Sequence, residues 1–378
     1  MSFLKENRDL KKIAWLGLGI FLILLIHTFY KYHIHINWAI MDDSAYTHYL
    51  FNYQDGFIKR GLVGEIFRQL DFQMSYKLAH VIGYCVFIIA SFSLLIAIIC
   101  PFKGYWQSTG FLLFFLFALS NSGTFQGFYR TLGHFDNINF ILSLLCIFLI
   151  YKIKKPPVYI LAYALMVIAI LIHEAALLMF IPLVLAFSFY LDSSKKNILQ
   201  LLLLSGALLL TTTAVFYNGM TKNSTLDEHY SELVNTYGDH VYYEAVEVLH
   251  DRGLEENYLY VKNKKSAYKA KENKRILILL LPTLLIYLLF CYEEIKRDGY
   301  SKKLILLASA FSPLALYPIA ASFYRWWGMS ITNFFVAMAL IAATDKSFRE
   351  FLVSFFYRHQ NLTLIAIVFC TIGGSLRY

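Results

Sequence analysis

The chain has 378 residues, of which 58% are hydrophobic and only 16% charged, with a formal net charge of +9. A soluble globular domain carries roughly 25% charged residues, so this chain lacks the polar surface to face water all round, which excludes a soluble enzyme with a membrane tail. Its apolar residues fall in continuous runs, not the alternating ten-residue segments of a barrel, and the basic excess belongs beside lipid headgroups and needs no nucleic acid.

A helix needs about 20 apolar residues to cross the roughly 30 Å hydrocarbon core, where only helices and closed barrels satisfy the backbone. The runs therefore predict an all-α, polytopic transmembrane protein of about eleven spans, at 13–33, 78–100, 109–122, 137–151, 157–172, 175–191, 198–217, 275–292, 303–322, 329–343 and 361–376. Ile13–Tyr30 follows a basic start but precedes no small-residue cleavage site, so it reads as an anchored helix and not a signal peptide. The stretch 157–191 is too long for one span, and folding it at His173-Glu174 keeps those groups out of mid-bilayer. The five cysteines all lie in or beside apolar runs, with no metal-ligand spacing.

Three regions follow: an N-terminal transmembrane module at 1–217 with an outer loop at 34–77, an outer-face subdomain at 218–274, and C-terminal transmembrane helices at 275–378. The first outer loop carries two short stretches with the pattern of flat interfacial helices, 44–53 and 62–70; Leu62, Ile66, Phe67 and Leu70 share a face of the second. The 218–274 segment is acidic first and basic at its end, with Leu226, Leu233, Val241, Val246 and Leu249 as apolar positions among the acids. Placing the N-terminus in the cytoplasm puts seventeen Lys and Arg residues on inner segments and eight on the short outer ones, as the positive-inside rule requires. The basic run 262–275, placed outside, fits that rule badly.

With this topology five polar clusters share the outer face: Asp42-Asp43, Lys59-Arg60, the group Arg130, His134 and Asp136, the pair His173-Glu174, and Tyr324-Arg325-Trp326-Trp327. Each has an ordinary reading. Asp42-Asp43 can cap a helix, Lys59 and Arg60 can snorkel, and Arg130, His134 and Asp136 can form a local ion-pair cluster. His173-Glu174 can be a hairpin tip, and Trp326 an interface aromatic. Their joint placement on one face favours a site at the membrane boundary.

An acidic pair just after the first span, an outer loop with two flat helices and then many short spans resembles the GT-C superfamily of membrane glycosyltransferases. Gly133-His134-Phe135-Asp136-Asn137 is similar to a second acidic motif of some members. The resemblance covers roughly residues 1–217 and is one of topology. It implies a donor sugar on a polyprenyl phosphate, a glycan or lipid acceptor in surface-polysaccharide or glycolipid synthesis, and a multi-pass protein of a bacterial inner membrane. It gives Asp42 or Asp43 as catalytic base or metal ligand, Asp43 slightly preferred as the base. Lys59, Arg60, Arg130, His134, Asp136, His173, Glu174, Arg325 and Trp326 then serve as substrate contacts. Arginine suits phosphate by bidentate hydrogen bonds and lysine as a point charge. No cofactor is certain; a divalent metal is the one candidate, with its ligands unassigned.

Two other readings compete. An O-antigen or capsule repeat-unit polymerase shares the many spans and outer loop, but Arg60, Arg130 and Arg252 each lack the glycine eleven positions on that such enzymes are described by. A secondary transporter would show repeated halves and charged midplane residues; no repeat is evident here.

Overall fold

The computed structural model describes residues 41–54, 56–153, 156–220, 224–250, 253–263 and 266–373, with Trp15, Leu18, Gly19 and Leu22. The described chain is all α. The expected first span, 13–33, lies outside the described residues apart from those four positions.

Among the described residues six segments are long and apolar enough to cross a membrane: Tyr76–Phe102, Thr109–Arg130, Asp136–Ile153, Lys195–Asn218, Asn273–Asp298 and Phe323–Thr344. This is the mark of a multi-pass membrane protein. It is also a correction, since eleven spans were expected. Apolar composition counts runs, whereas crossing requires an unbroken helix of sufficient length. The run 175–191 breaks at Phe180 between two short helices, α8 (Ala176–Met179) and α9 (Ile181–Leu191), with Pro182 at the restart. The run 303–322 stops as a helix at Ser309 (α15, Lys302–Ser309) and continues as a 3₁₀ turn opened by Pro313. A proline lacks the N–H that would extend the ladder. The helix α7 (Pro156–Ile172) and the last helix, α18 (Gln360–Gly373), are apolar but short.

The helices α3 (Tyr76–Ile99), α4 (Thr109–Ser120), α6 (Asp136–Ile153), α10 (Lys195–Asn218), α14 (Ser266–Asp298) and α16 (Phe323–Thr344) build the bundle. Burial ranks them: 78% of the apolar window of α16 is buried but only 17% of that of α10. So α16 is the central helix, and α10 turns Leu199, Leu202, Leu203, Leu209 and Leu210 outward. That is the face a lipid would wet. The interior is dense in aromatics; Phe114, Phe117, Phe335 and Phe356 pack tilted or edge-to-face with centroids 5.3–6.1 Å apart. In a bilayer such contacts hold helices by van der Waals packing, since lipid tails are as apolar as leucine. The amphipathic α17 (Lys346–Arg358) closes the end of the bundle where α14 and α16 finish.

The other end carries a cap with its own core. The first flat helix is shorter than expected, α1 (Asp43–His48), and α2 (Leu62–Gln69) matches the second. The expected outer subdomain forms α11 (Leu226–Tyr237), α12 (Tyr243–His250) and α13 (Leu254–Asn263). Thr225 and Glu228 start α11 with a reciprocal capping box. Leu233, Val241, Val246 and Leu249 pack on Ala45, Tyr46, Tyr49 and Phe51, so the cap buries the apolar positions picked out among the acids. Tyr242 donates its backbone N–H to Thr47 Oγ1 at 2.8 Å, which ties the two halves of the cap together.

Candidate functional site

The polar clusters meet at the capped end of the bundle. Arg60 reaches across 114 positions to Glu174, donating from Nε to both carboxylate oxygens at 3.1 and 3.0 Å and from Nη2 to Oε1. Its Nη1 lies 3.1 Å from His48 Nε2. A guanidinium has no acceptor, so His48 accepts there and carries its proton on Nδ1. Arg60 itself is left-handed, with φ 63°, a conformation that costs a non-glycine residue about 1–2 kcal/mol. The buried ion pair holds it there. Lys59 next door is buried at 1% exposure and does not snorkel; its Nζ lies 5.9 Å from the Phe216 ring.

A second pair spans 189 positions: Arg325 donates from Nε and Nη2 to Asp136 Oδ2 at 2.9 and 2.5 Å. Asp136 opens α6 and Arg325 sits in the first turn of α16, so two helices that start at the same end are joined at their tips. Asp136 Oδ1 is buried with no hydrogen-bond partner among the described residues. Arg130, at the end of α5 (Phe125–Arg130), stacks 3.1 Å from the centroid of the Tyr324 ring. A water-sized crevice of about 10 Å³ runs past Arg130, Thr131, Tyr324 and Arg325.

Two close approaches assemble this end. Gly133 has φ +80°, and a Cβ there would meet Met41 Sδ at 2.2 Å, so the turn carrying His134 packs directly against the residue before Asp42. A Cβ on Gly123 would lie 2.7 Å from the Gly328 carbonyl oxygen, which lets α16 slide in until Arg325 reaches Asp136.

Burial sets the protonation of the histidines. For His134, burial first and then Arg325 lower the imidazole to about 4. His173 is lowered to about 4 by burial and then by Arg60; its Nδ1 accepts the Ala175 N–H at 3.2 Å. His48 is held well below its ordinary value by burial, then Arg60. All three are neutral at neutral pH. Burial pushes the Glu174 carboxyl up, but Arg60 and His173 outweigh it and hold it below the usual carboxylate range. Arg60 and Arg325 thus grip two buried carboxylates, Glu174 and Asp136, with Lys59 and Arg130 beside them.

The acidic pair sits at the edge. Asp42 is the exposed N-cap of α1: its Oδ1 accepts the Ser44 N–H at 2.9 Å, and its carbonyl accepts the N–H groups of Ala45 and Tyr46. Its charge also acts on His134 and Arg325. Asp43 turns the other way and pairs with His240 Nδ1 at 3.1 Å. The His240 ring is stacked on Tyr76 with centroids 3.9 Å apart. Trp326 is buried in the bundle core and donates its indole N–H to the Ala320 carbonyl at 3.2 Å.

Sequence reasoning missed His48 and His240. Nothing in the spacing couples position 48 to 60, or 240 to 43; only the fold brings them together. Among the described residues no group of three or more His, Cys, Asp or Glu side chains is placed to hold a metal ion. Comparison with known proteins finds no matching family model, no similar curated protein and no similar solved structure.

Proposed function

We propose that the protein is a membrane glycosyltransferase that moves a sugar from a polyprenyl-phosphate-linked donor to an acceptor on the outer face of the membrane. The observation that carries this reading is the half-buried cluster of Arg60, Arg130 and Arg325 beside Asp42, at the boundary end of an apolar bundle. Guanidinium groups among neutral histidines suit a phosphate oxygen better than a neutral ligand. Arg325 adds the favourable end of the α16 dipole.

The chemistry asks little else. The acceptor oxygen attacks the anomeric carbon, the carbon–oxygen bond to phosphate breaks, and its electron pair stays on the phosphate. The acceptor proton passes to a carboxylate and then to solvent. Asp42 is the base in this reading rather than Asp43, because it acts on His134 and Arg325 whereas Asp43 is held by His240. Asp136 Oδ1, buried and unbonded, is available to a donor hydroxyl of the sugar.

Asp42→Asn tests this. General base catalysis contributes roughly 10²–10⁴-fold, whereas Asn caps a helix about as well as Asp. With radiolabelled polyprenyl-phosphate sugar in membranes, transfer falls by about that factor while the protein stays inserted and at normal level. Normal product from Asp42→Asn makes the residue a cap only and removes the base from the proposal.

A further inference from the structure

A cavity of about 660 Å³ lies beside the charge network and contains none of its arginines. One wall is the segment between α1 and α2, and the other is α11 with the end of α10. Its polar lining among the described residues is Asn52, Gln54, Asn218, Ser224, His229, Glu232 and Thr236: amides, hydroxyls, an imidazole and one carboxylate, with no lysine or arginine among the described lining residues. Phe51, Phe57 and Tyr237 add flat apolar faces. This volume lies within the range of small-molecule sites, roughly 300–1,000 Å³.

The lining selects the ligand by charge. Among the described lining residues a phosphate would meet the Glu232 carboxylate and no lysine or arginine, which disfavours the anionic half of a lipid-linked donor. A polyhydroxylated neutral molecule fits both features: its hydroxyls donate to Glu232 and exchange hydrogen bonds with the amides, and its C–H faces lie on the aromatic rings. Asn52 and His229 are held by existing bonds, Asn52 Oδ1 to the Gln54 N–H at 2.9 Å and His229 Nδ1 to His250 Nε2 at 2.9 Å, so the polar wall is formed before any ligand arrives.

The cavity is joined to the charge network by one short segment. Seven residues between Leu50 and Ile58 line it, and Lys59 and Arg60, next in the chain, enter the network. The Lys59 N–H donates to the Gly219 carbonyl at 2.9 Å, pinning that segment to the end of α10. The Phe51 ring contacts His48 at 5.7 Å and His229 at 6.5 Å between centroids, with one partner in the network and one in the cavity wall.

We infer that this cavity binds a neutral saccharide, the sugar portion of the acceptor. The word acceptor rests on the transferase reading; saccharide binding does not. The test uses the full chain purified in detergent, saturation-transfer NMR with a panel of neutral mono- to trisaccharides, and inorganic phosphate as a comparison probe. At least one neutral saccharide is expected to receive saturation and phosphate is expected not to compete with it. Glu232→Ala should weaken binding about tenfold or more, as loss of a charged hydrogen bond does. Thr236→Trp should abolish it by filling the space. Both positions are exposed on α11, and unchanged thermal unfolding of each variant confirms the fold. No binding by any saccharide in the panel, binding that survives both substitutions, or displacement by phosphate overturns the assignment. If saccharide binds as expected but Asp42→Asn still transfers normally, the cavity stands and the base assignment falls. If Asp42→Asn is inactive and no saccharide binds, the reverse holds.

Discussion

Both ends of the bundle bury a carboxylate gripped by an arginine, but they do so differently. At the end closed by α17, Glu294 is fully buried and Arg297, one turn away on the same helix, donates to both of its oxygens at 3.0 and 2.9 Å. Lys303 bridges from there to Asp298 and Asp345 at 2.6 and 2.7 Å, and Arg358 and His359 share Glu293. These contacts lie within a helix or between neighbouring helix ends, and they fasten the close of one helix to the start of another. At the capped end the pairs join residues 114 and 189 positions apart, Arg60 is left-handed, and one buried oxygen of Asp136 makes no bond. One end pairs its buried carboxylate within a single helix turn; the other holds a left-handed arginine and a buried carboxylate oxygen without a bond among the described residues. Strain and unmet capacity that persist in a fold are expected where a site is pre-organised for a ligand.

Four measurements break or sharpen that contrast. The largest effect is expected from Arg325→Ala. It leaves the Asp136 charge buried and uncompensated, which costs roughly 3–5 kcal/mol, and unfolding of the purified protein in detergent should show it. Stability close to wild type would mean that water already solvates Asp136. Next comes the pair Arg60–Glu174. Arg60→Ala alone should cost a similar amount, whereas Arg60→Met with Glu174→Met should recover most of it, because a buried ion pair is often replaced by apolar residues at little or no cost. Transfer activity should not recover in the double variant. Recovery of both stability and activity would make this pair as purely structural as those at the other end.

The third is pH. His134 and His173 have folded values near 4 against an unfolded value of about 6.5. Between those values the unfolded chain binds more protons, so stability is complete above about pH 6.5 and is lost as pH falls toward 4. The loss should be on the order of 3 kcal/mol for each histidine. Melting temperatures from pH 7.5 down to 4.5 should fall accordingly, and His134→Asn with His173→Asn should flatten the profile. A profile that the double variant leaves unchanged puts the titration elsewhere. The smallest effect is expected from Arg358→Ala at the other end, where the side chain is 50% exposed. An exposed pair contributes about 0–1 kcal/mol, and transfer should be untouched. A loss as large as that of Arg325→Ala would erase the distinction between the two ends.

By itself the sequence determined that this is a helical membrane protein, that its polar clusters fall beside particular helix ends, and that Leu226, Leu233, Val241, Val246 and Leu249 are apolar positions among the acids of 218–274, a segment whose packing only the fold shows. Those readings depend on composition and local periodicity, which a single chain displays openly. It could not give the number of complete crossings, because an apolar run looks the same whether it continues as a helix or breaks, as it does at Phe180 and after Ser309. Nor could it give the partners. Arg60 with Glu174, Arg325 with Asp136, His48 with Arg60 and His240 with Asp43 are joined by packing between distant segments, through close approaches such as Met41 on Gly133. Tertiary structure alone decided which basic residue faces which acid, because charge pairing over a hundred positions leaves no period in the sequence.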